Sequence, residues 1–566
     1  MAGGAPILTR ASALNVSDYE SKLTWYVIIV ALIASAGGLL FGYDIGVTGG
    51  VESFEEFQYK FFPDVWEAKH GPNAAANSDP YWQVAAGTSG CCGPANGTYN
   101  DQKLQVFTSS LFLAGLVSSL FAGHITRHFG RKITMVVGAC WFLAGAGLNA
   151  GAQYLWMLVI GRIFLGFGVG MANQVVPLYL SEMAPFKYRG GLNMLFQLAV
   201  TIGILVAQLI NYGVQDWAHG WRLSLGLAAV PAFVLLAGGI MLPESPNSLI
   251  ERGHLDKGRA VLEKLRGTTN VHAEYGDIKD ASEVAGNIRL RDSWKAMFTR
   301  PYSPMLAVTC MIAMLQQWTG INAIIYVPVI FNSLGSGKSA SLLNTVIIGA
   351  VNVVATFVSI LSVDKFGRRF LFIEGGIQMA VAQIITGVVL AVEFPKYNNV
   401  LPSNVAIGVL IVICVFVAGF AWSWGPLGWL VPSEIQTLET RAAGMSAAVT
   451  INFLFSFVVG QAFLTMLCSM RWGVFIFFAA WVVLMTVFIY FFLPETKNVP
   501  VERIQVKFAR HWFWRKWMGP AAQDIINRDE TRTASRKAAN LEGAAPYPSP
   551  PPGNEVPPKI VTVAVA

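Results

Sequence analysis

The sequence predicts an all-α membrane protein whose twelve transmembrane helices form two pseudo-symmetric six-helix bundles. Three observations support this fold class. Of the 566 residues, 54% are hydrophobic and only 13% are charged, whereas a soluble globular chain carries about 25% charged residues. About twelve apolar segments approach the roughly 20 residues that a helix needs to cross a bilayer. Three short motifs also recur in the same order in the two halves of the chain.

The apolar segments are predicted to be helices, because an open sheet cannot satisfy its backbone hydrogen bonds in lipid. The first segment has no cleavage-type end, so we expect it to be retained as a helix and not removed as a signal peptide. The predicted spans are 24–47, 105–126, 132–152, 155–178, 191–213, 221–242, 304–333, 340–363, 370–393, 403–430, 443–467 and 471–493.

The internal repeat consists of three pairs of short motifs. The pairs are "RHFGRK" (127–132) with "DKFGRR" (364–369), "SEMAPFKYRG" (181–190) with "SEIQTLETRA" (433–442), and "PESP" (243–246) with "PETK" (494–497). In the second pair a glutamate precedes an arginine by seven residues both times. Duplicated halves of this kind place a binding site at their interface near the membrane midplane, and rocking exposes the site to each side in turn.

The spans and the repeat divide the chain into five regions. We predict a cytoplasmic N-terminus at 1–23, an N-terminal six-helix bundle at 24–242 with an extracellular lid at 50–104, a cytoplasmic helical connection at 243–303, a C-terminal six-helix bundle at 304–493 and a cytoplasmic tail at 494–566. The tail ends in the proline-rich "GAAPYPSPPPGNEVPP", which is typical of disorder. We expect no packed structure in this proline-rich end and no recognisable feature in the rest of the tail.

The net charge of +7 reflects membrane topology. Lys and Arg concentrate in alternate loops, among them 127–132, 184–190, the 243–303 connection and 364–369, while the loops between them carry at most three, even across the long 50–104 loop. This is the positive-inside bias of membrane proteins. We therefore expect both termini and the connection to be cytoplasmic. The lipid bilayer is an expected partner, and nucleic acid is not.

Six cysteines and one sequon bear on the cellular compartment. Three cysteines lie within apolar segments, where a free thiol behaves as a small hydrophobic group. The other three, Cys91, Cys92 and Cys468, lie on the predicted outer side and are the candidates for a disulfide. Asn96 in "NGT" is a glycosylation acceptor, although such a sequon also occurs by chance.

Polar side chains inside the apolar segments are candidates for a binding site, because such groups are costly in a membrane and usually functional. Their amides complement the hydroxyl groups of a polar ligand, and an indole suits an apolar ring face of such a ligand. The alternative is that these amides hold helices together. The candidates are Gln197, Gln316, Gln317, Asn322, Asn352 and Trp429, the last placed by the helix-breaking Gly425, Pro426 and Gly428.

Asp44 and Arg162 are opposite charges within apolar segments of the N-terminal half. Asp44 stands among glycines in "FGYDIGVTGG", and Arg162 is the only charge within the fourth segment. Each alone costs about 2.5–3.5 kcal/mol near mid-bilayer, so we expect them to meet. Beside Arg162 the carboxylate stays ionised, and away from it desolvation favours protonation. The pair is therefore a candidate proton site, with a static salt bridge as the alternative.

The motifs together resemble one family. "GRK" and "GRR" after the second and eighth segments, "PESP", "PETK" and the paired Glu–Arg loops are similar to those of the sugar porter branch of the major facilitator superfamily. "FGYDIGVTGGV", "QQWTGIN", "FAWSWGPLGWLVPSEIQTLETR" and "FARHWFW" resemble the plant and green-algal hexose–proton symporters, most closely the Chlorella-type hexose carriers. The resemblance covers residues 20–520 and implies the major facilitator fold.

The resemblance implies roles for several of these residues. It assigns sugar contacts to Gln197, Gln316, Gln317, Asn322, Asn352 and Trp429. It assigns the proton role to Asp44 and Arg162. Phe41, Ile45 and Gly425 complete the predicted sugar site, although core packing would equally explain the first two. The resemblance also implies a cysteine-bearing lid, with a disulfide from Cys91 or Cys92 to Cys468.

Charged residues at the cytoplasmic helix ends are interpreted as latches. Salt bridges there would hold the outward-open state, and we do not expect these residues to contact sugar. The predicted gate residues are Arg131, Glu182, Arg189, Arg368, Glu434 and Arg441. His124 and His128 lie beside a basic loop and are interpreted as exposed loop histidines, not as a proton relay.

One segment departs from the family pattern. "NAIIYVPVIF" in the seventh segment is one residue shorter before Tyr326, and a deletion rotates the remainder of a helix by about 100°. A kink or bulge near Pro328 would absorb this rotation, and a sequence or gene-model error would equally produce the shortening. Gln316, Gln317 and Asn322 precede the departure, so their predicted roles do not depend on it.

These observations predict a plasma-membrane carrier that takes up a hexose, glucose or galactose, together with a proton. A facilitative sugar uniporter is one alternative, but it would not need Asp44. A non-transporting sugar sensor is another, but such sensors tend to carry long cytoplasmic extensions. A membrane enzyme is set aside, because the sequence contains no recognisable nucleophile–base pair, metal-ligand cluster or phosphate loop. We expect a monomer without metal or cofactor.

Overall fold

The computed structural model describes residues 22–63, 66, 102–272, 274–276, 278–279, 282, 290–322, 338–396, 402–437, 440–470, 472–497, 499 and 504–541. The helices in the first half of the chain are α1 (Trp25–Ala34), α2 (Ala36–Val51), α3 (Glu55–Phe61), α4 (Gln102–Phe129), α5 (Arg131–Ala150), α6 (Leu155–Met183), α7 (Arg189–Val214), α8 (Gly220–Gly226), α9 (Ala229–Met241), α10 (Pro246–Glu251) and α11 (Leu255–Arg266). Those in the second half are α12 (Leu290–Met297), α13 (Ser303–Gln317), α14 (Lys338–Phe366), α15 (Arg368–Lys396), α16 (Ser403–Trp422), α17 (Trp424–Ile435), α18 (Arg441–Met470), α19 (Gly473–Phe492), α20 (Ile504–Arg510), α21 (Trp512–Met518) and α22 (Pro520–Leu541).

Eleven helical stretches within the described residues are long and apolar enough to cross a membrane. Three of them are pairs of consecutive helices: α1 with α2, α8 with α9, and α16 with α17. The remaining predicted span, 304–333, begins with the shorter apolar helix α13 and continues into residues outside the description. The predicted all-α fold class is confirmed. We call the end of the bundle that carries α3 the lid end, and the end that carries α10 and α11 the connection end.

Glycines let α2 and α7 approach each other closely. The glycine seam consists of Gly38, Gly42, Gly46 and Gly50, which recur every four residues and therefore share one face of α2. A Cβ atom on Gly42 would lie 1.9 Å from the carbonyl oxygen of Val200, and one on Gly38 would lie 2.4 Å from that of Phe196. Small residues at this spacing let helix backbones touch within a membrane.

The two halves of the chain meet along two helix pairs, α4 with α18 and α7 with α14. Polar contacts cross the first pair: Ser109 Oγ donates to Gln461 Oε1 at 2.7 Å, and the hydroxyl oxygens of Ser119 and Thr450 lie 2.9 Å apart. The second span of each half therefore packs against the fifth span of the other half. This is the arrangement that a duplicated six-helix design produces.

The connection packs against the N-terminal half through α10 and α11. Thr24 Oγ1 donates to the carbonyl of Leu265 at 2.9 Å, and the buried Arg266 guanidinium donates to the carbonyl of Met183 at 3.1 Å. Short helices were expected in this region.

The tail differs from the featureless segment that the sequence predicts. It begins with three helices, α20 to α22. Its aromatic residues pack under the end of α19, where Trp514 Nε1 donates to the carbonyl of Phe492 at 2.7 Å and the rings of Phe513 and Phe492 lie 4.8 Å apart. The proline-rich end lies outside the described residues.

Candidate functional site

A cavity lies between the two halves. Its empty space, including the open mouth, is about 970 Å³, which is the size of a small-molecule site. Helices α2, α4 and α7 line it from one half, and α13, α14, α16, α17 and α18 line it from the other. Eight of the predicted sugar-site residues are part of the lining: Phe41, Ile45, Gln197, Gln316, Gln317, Asn322, Asn352 and Trp429.

The cavity extends toward the lid end. Its lining reaches Gly50 and Asn211, near the lid ends of α2 and α7. On the connection side, Asn193 Nδ2 donates to Ser433 Oγ at 2.9 Å, which joins α7 to α17 across the two halves. Direct contact between the halves therefore bounds the cavity toward the connection end.

Gln316 holds the broken helix next to the cavity. The chain breaks at Ser423, between α16 and α17, just before the predicted helix-breaking residues. Gln316 Nε2 donates to the carbonyls of Trp424 at 2.9 Å and Gly425 at 3.0 Å, and its Oε1 accepts from Asn452 Nδ2 at 2.8 Å. Both amide hydrogens of Gln316 are therefore used within the protein. Gly425 is not part of the cavity lining, and its carbonyl instead accepts the hydrogen bond from Gln316 that holds α17 in place.

Three other predicted amides keep hydrogen-bonding capacity beside the cavity. Gln197 makes no hydrogen bond to a described residue. Asn322 Nδ2 donates to Gln317 Oε1 at 2.9 Å, which leaves Gln317 Nε2 without a partner in the described part of the chain. Asn352 Oδ1 is buried and accepts no hydrogen bond from a described residue. A ligand with several hydroxyl groups would supply the missing donors and acceptors.

Aromatic rings form the apolar part of the lining. Trp429 packs edge-on against Phe196, with ring centroids 5.6 Å apart. Phe41 packs edge-on against Phe453 at 5.9 Å, and Phe453 also lies 6.4 Å from Phe112. The cavity thus combines free amides with aromatic surface, and the arrangement suits a polar molecule that has one apolar face.

Three further cavity residues are not singled out by the sequence analysis. Asn452, Gln208 and Asn211 line the cavity, and the side-chain oxygens of the last two are buried without a partner among the described residues. Each is an amide within an apolar segment. The criterion used to select the other amides would have identified them.

Asp44 and Arg162 form a buried ion pair. Arg162 Nη1 lies 2.7 Å from Asp44 Oδ1, and the two residues are 1% and 2% exposed. Arg162 Nη2 also donates to Thr48 Oγ1 at 2.9 Å, and that hydroxyl donates to the backbone carbonyl of Asp44 at 2.7 Å. The ring of Phe107 covers the guanidinium, with its centroid 4.2 Å from Cζ. Water is thereby excluded from one face of the cation.

Helix α2 presents different chemistry to different neighbours. Phe41 and Ile45 line the cavity, whereas Asp44 and Thr48 contact Arg162 of α6. The glycine seam contacts α7 on a further face. A small displacement of α2 therefore changes the cavity wall and the ion pair at the same time.

The predicted gate residues of the N-terminal half form a cluster at the connection end. Arg131 lies 2.7 Å from Glu182 and 2.9 Å from Glu251 of α10. Ser245 Oγ donates to Glu182, and Glu244 accepts from the backbone N–H of Arg131 at 2.9 Å. The cluster fastens the connection to the ends of α5 and α6.

The C-terminal half repeats this cluster. Arg368 lies 2.8 Å from Glu434 and 3.1 Å from Asp364. Glu495 accepts from the backbone N–H groups of Arg368 and Arg369, at 3.2 and 3.1 Å. The glutamates of "PESP" and "PETK" therefore serve the same purpose, which is to cap the helix that begins at the "GR" motif.

Within the described residues, the ion pairs of Arg131 and Arg368 join residues of the same half. Contact between the halves at this end comes from close approach: a Cβ atom on Gly190 would lie 2.9 Å from Asp364 Oδ1 and 3.0 Å from Arg368 Nη2. Arg189 and Arg441 are the first residues of α7 and α18. His124 and His128 are exposed and lie on the last turns of α4, not in a loop, with ring centroids 4.4 Å apart.

Some predicted features lie outside the described residues. These are Cys91, Cys92, Asn96 and the shortened stretch around Tyr326. Cys468 lies on α18, but its side chain is not described. Cys140, Cys310 and Cys414, the cysteines of the apolar segments, are unpaired.

Comparison with known sequences identifies close relatives. Residues 30–508 match the family described as sugar (and other) transporter. The chain is 62% identical over 549 residues to H(+)/hexose cotransporter 2 of Parachlorella kessleri, covering 96% of this chain and 98% of that protein. It is 49% identical over 539 residues to Sugar transport protein 7 of Arabidopsis thaliana, covering 94% of this chain and 100% of that protein.

Solved structures share the fold. The proton:xylose symporter XylE bound to 6-bromo-6-deoxy-D-glucose matches with a TM-score of 0.70 at 27% identity, covering 85% of this chain and 98% of that chain. The inward open conformation of XylE from E. coli matches with a TM-score of 0.62 at 26% identity, covering 85% and 99%. The chain therefore belongs to the sugar transporter family and is a multi-pass membrane protein with the major facilitator fold.

Proposed function

We propose that this protein takes up a hexose, glucose or galactose, together with a proton across the plasma membrane by alternating access. The named relatives support the substrate class, since they are a proton–hexose cotransporter and a sugar transport protein. The positive-inside bias places both termini and the connection in the cytoplasm. The lid end then faces the outside of the cell, and the cavity faces outward.

The sugar site in this proposal is the cavity between the halves. Gln197, Gln317, Asn322 and Asn352 bind hydroxyl groups, and Trp429 packs against the apolar face of the ring. Phe41 and Ile45 form the wall on the α2 side. Gln316 and Gly425 act by positioning, because their hydrogen bonds hold α17 and its indole in place.

The proton site is the buried pair of Asp44 and Arg162. While Asp44 is ionised, Arg162 holds α2 in the observed position. Protonation removes the negative charge and with it most of the attraction to the guanidinium. Helix α2 then shifts along the glycine seam and moves Phe41 and Ile45 toward the sugar. Deprotonation on the cytoplasmic side restores the ion pair after the sugar has left.

One observation carries the proposal of symport: Asp44, the acidic member of the buried ion pair, lies on α2, which also lines the cavity. A facilitative uniporter or a sugar sensor would need the amides but has no use for two charges buried in the membrane. One charge moved through 100 mV supplies about 2.3 kcal/mol. That energy supports about fifty-fold accumulation, at about 1.4 kcal/mol per tenfold.

Asp44→Asn tests the proposal. The amide has nearly the same shape as the carboxylate but cannot cycle between charged and neutral forms, so we expect uphill accumulation and sugar-induced proton uptake to be lost while the protein reaches the membrane. Uptake of radiolabelled hexose would be measured in a hexose-transport-deficient yeast, with external pH recorded.

Asp216→Asn serves as the control for this experiment, because Asp216 is an exposed carboxylate outside the cavity and the ion pair. It should retain accumulation and proton uptake. If Asp44→Asn still concentrates hexose with the wild-type pH dependence, Asp44 is not the proton site. A variant that misfolds, while the control does not, would instead favour the static salt bridge.

The remaining predicted features belong to the same proposal. The clusters around Arg131 and Arg368 act as latches at the cytoplasmic end, with Glu182, Arg189, Glu434 and Arg441 as their other members. A disulfide from Cys91 or Cys92 to Cys468 ties the lid to the C-terminal half, and Asn96 carries a glycan. The carrier works as a monomer.

A further inference from the structure

A second buried carboxylate lies near the Asp44–Arg162 pair. Glu52 caps the lid end of α2, one residue beyond the membrane span, and is 1% exposed. Asp44, Thr48 and Glu52 are four residues apart and therefore share one face of α2. The carboxylate of Glu52 lies about 12 Å along the helix axis from that of Asp44, at a rise of about 1.5 Å per residue.

Glu52 has few compensating contacts for a buried carboxylate. Thr108 of α4 donates its hydroxyl to Oε1 of Glu52, and Glu52 forms no ion pair within the described part of the chain. Gln58 of α3 donates to the backbone carbonyl of Glu52 at 2.6 Å and not to its carboxylate. Burial without a direct cation favours the protonated form of an acid.

The charged groups around Glu52 come from three directions. Asp44 is on the same helix, and Arg162 of α6 is paired with Asp44. On α3, Glu56 contacts His219 and Lys60 contacts Gln153, and both are turned toward these partners. Burial raises the pKa of Glu52 to about 7, against the opposing effects of the Thr108 hydrogen bond and the Arg162 charge.

We propose that Glu52 is a second proton-binding group of this carrier, placed on the extracellular approach to Asp44. The site has two carboxylates and one guanidinium, so it is electrically neutral when one carboxylate carries a proton. A buried site resists net charge. In the observed arrangement Asp44 is the ionised partner of Arg162, so the proton resides on Glu52.

The role of Glu52 in transport rests on the proposed function. A proton from outside binds Glu52, and water that enters between the two carboxylates then carries it to Asp44, because the groups are too far apart for direct transfer. Glu52 becomes the carboxylate and Asp44 the acid, and the net charge of the site does not change. The ionised Glu52 now balances Arg162, so α2 can leave the guanidinium without stranding an uncompensated cation.

Glu52→Gln and its control Glu56→Gln test this inference. Glutamine still accepts the Thr108 hydrogen bond but cannot balance Arg162, so protonation of Asp44 would leave a net positive site. We expect accumulation to persist, while the external pH for half-maximal uptake falls by about one unit or more, the shift that a neighbouring charge produces. Glu56→Gln, which alters a half-exposed carboxylate, should keep the wild-type midpoint.

Infrared difference spectroscopy of the purified protein gives a readout that does not depend on transport. Wild type should show a protonated-carboxyl band that titrates with a midpoint near pH 7 and is missing in Glu52→Gln. Thr108→Val removes the hydroxyl that donates to the carboxylate, so the midpoint of the band should move to higher pH. This variant tests the inference even if Glu52→Gln does not fold.

The two proposals fail separately. If Asp44→Asn keeps accumulation while the band persists, the coupling role of Asp44 is wrong and the Glu52 site stands. If the band is unchanged in Glu52→Gln and the pH midpoint of uptake equals that of Glu56→Gln, Glu52 does not bind the proton and the inference is overturned.

Discussion

The cavity amides fall into two groups according to their hydrogen-bond partners. Gln316 has both of its amide hydrogens bonded to backbone carbonyls. Gln197 and Gln317 have amide groups without such partners in the described residues. The first arrangement holds helices together, and the second leaves hydrogen bonds for a ligand. The two interpretations of intramembrane amides therefore both apply, each to different residues of the same cavity.

Replacing Gln197 or Gln317 with alanine should weaken the apparent sugar affinity and leave surface expression intact. A lost hydrogen bond costs about 0.5–1.5 kcal/mol, and more if a buried partner is left unpaired. We therefore expect the half-saturating hexose concentration to rise by a factor between a few and about one hundred. Concentration-dependent uptake would measure it.

Gln378→Ala is the matched control for these variants, because Gln378 is an intramembrane amide that donates to the carbonyl of Val415 and does not line the cavity. Its affinity should equal that of wild type. Unchanged affinity in both Gln197→Ala and Gln317→Ala would assign these amides to helix packing.

A functional side chain can be predicted from the sequence when its own segment marks it as unusual, and not when its burial depends on residues that are distant in the sequence. Asp44 and Arg162 are predictable as a pair, because they are opposite charges within the apolar segments of one half. Glu52 is not, since "VESFEEF" contains three glutamates, of which only Glu52 is buried. Its burial depends on Thr108, which is distant in the sequence.

Helices α2 and α7 pack closely because the glycines of α2 have no side chains. The glycine seam allows backbone contact, and a single added methyl group has no space at Gly42. At Gly42 backbone faces backbone, whereas nearer the lid end Asn211 Nδ2 of α7 donates to the carbonyls of Gly46 and Val47 at 3.3 and 3.2 Å, and these two bonds must break when α2 moves. The backbone contact at Gly42 is suited to sliding, which the proposed movement of α2 requires.

Gly42→Ala should therefore destabilise the protein. The added Cβ would lie 1.9 Å from the carbonyl oxygen of Val200, so the helices must separate, and overpacking of this kind costs about 1–3 kcal/mol or more. Gly147→Ala is the control, since a Cβ there meets nothing within 4 Å and alanine favours a helix by about 0.5–1 kcal/mol. Thermal unfolding in detergent would measure both. Equal melting temperatures would show that the seam is not tightly packed.

The ends of the spans were predictable from the apolar runs, but the breaks between consecutive helices within a span were not. The sequence places helix breakers at Gly425, Pro426 and Gly428, yet the chain breaks at Ser423, before them. The three tail helices were also missed, because α20 and α21 are shorter than a span; α21 packs against α19, and α20 packs against α21.

The whole molecule is organised by its repeat. Arg131, Glu182 and Glu244 in one half correspond to Arg368, Glu434 and Glu495 in the other, with the same contacts. The motif pairs announce this correspondence in the sequence. They do not reveal that the described ion pairs of Arg131 and Arg368 stay within their own half, because that depends on how the halves are placed against each other.

Linking the halves at the connection end should arrest transport. Asn193 and Ser433 are hydrogen-bonded across the halves at 2.9 Å, so Asn193→Cys with Ser433→Cys should form a disulfide on oxidation. Transport requires this end to open, and we expect uptake to be lost and then restored by a reducing agent. Thr126→Cys with Thr134→Cys, at a contact of 3.2 Å between α4 and α5 within the N-terminal half, controls for cross-linking as such and should keep full uptake. Full uptake by the cross-linked Asn193–Ser433 variant would contradict rocking of the halves.

The two halves, although duplicated, have taken on different work. Every described side-chain partner of Asp44 belongs to the N-terminal half, whereas most cavity amides, among them Gln317, Asn322 and Asn352, belong to the C-terminal half. The proposed proton site is thus encoded in the first half of the gene, whereas most of the cavity amides are encoded in the second. Substitutions in the second half can therefore change the preferred sugar and leave the proposed proton site unchanged. Engineering of a carrier for a new sugar can begin in that half.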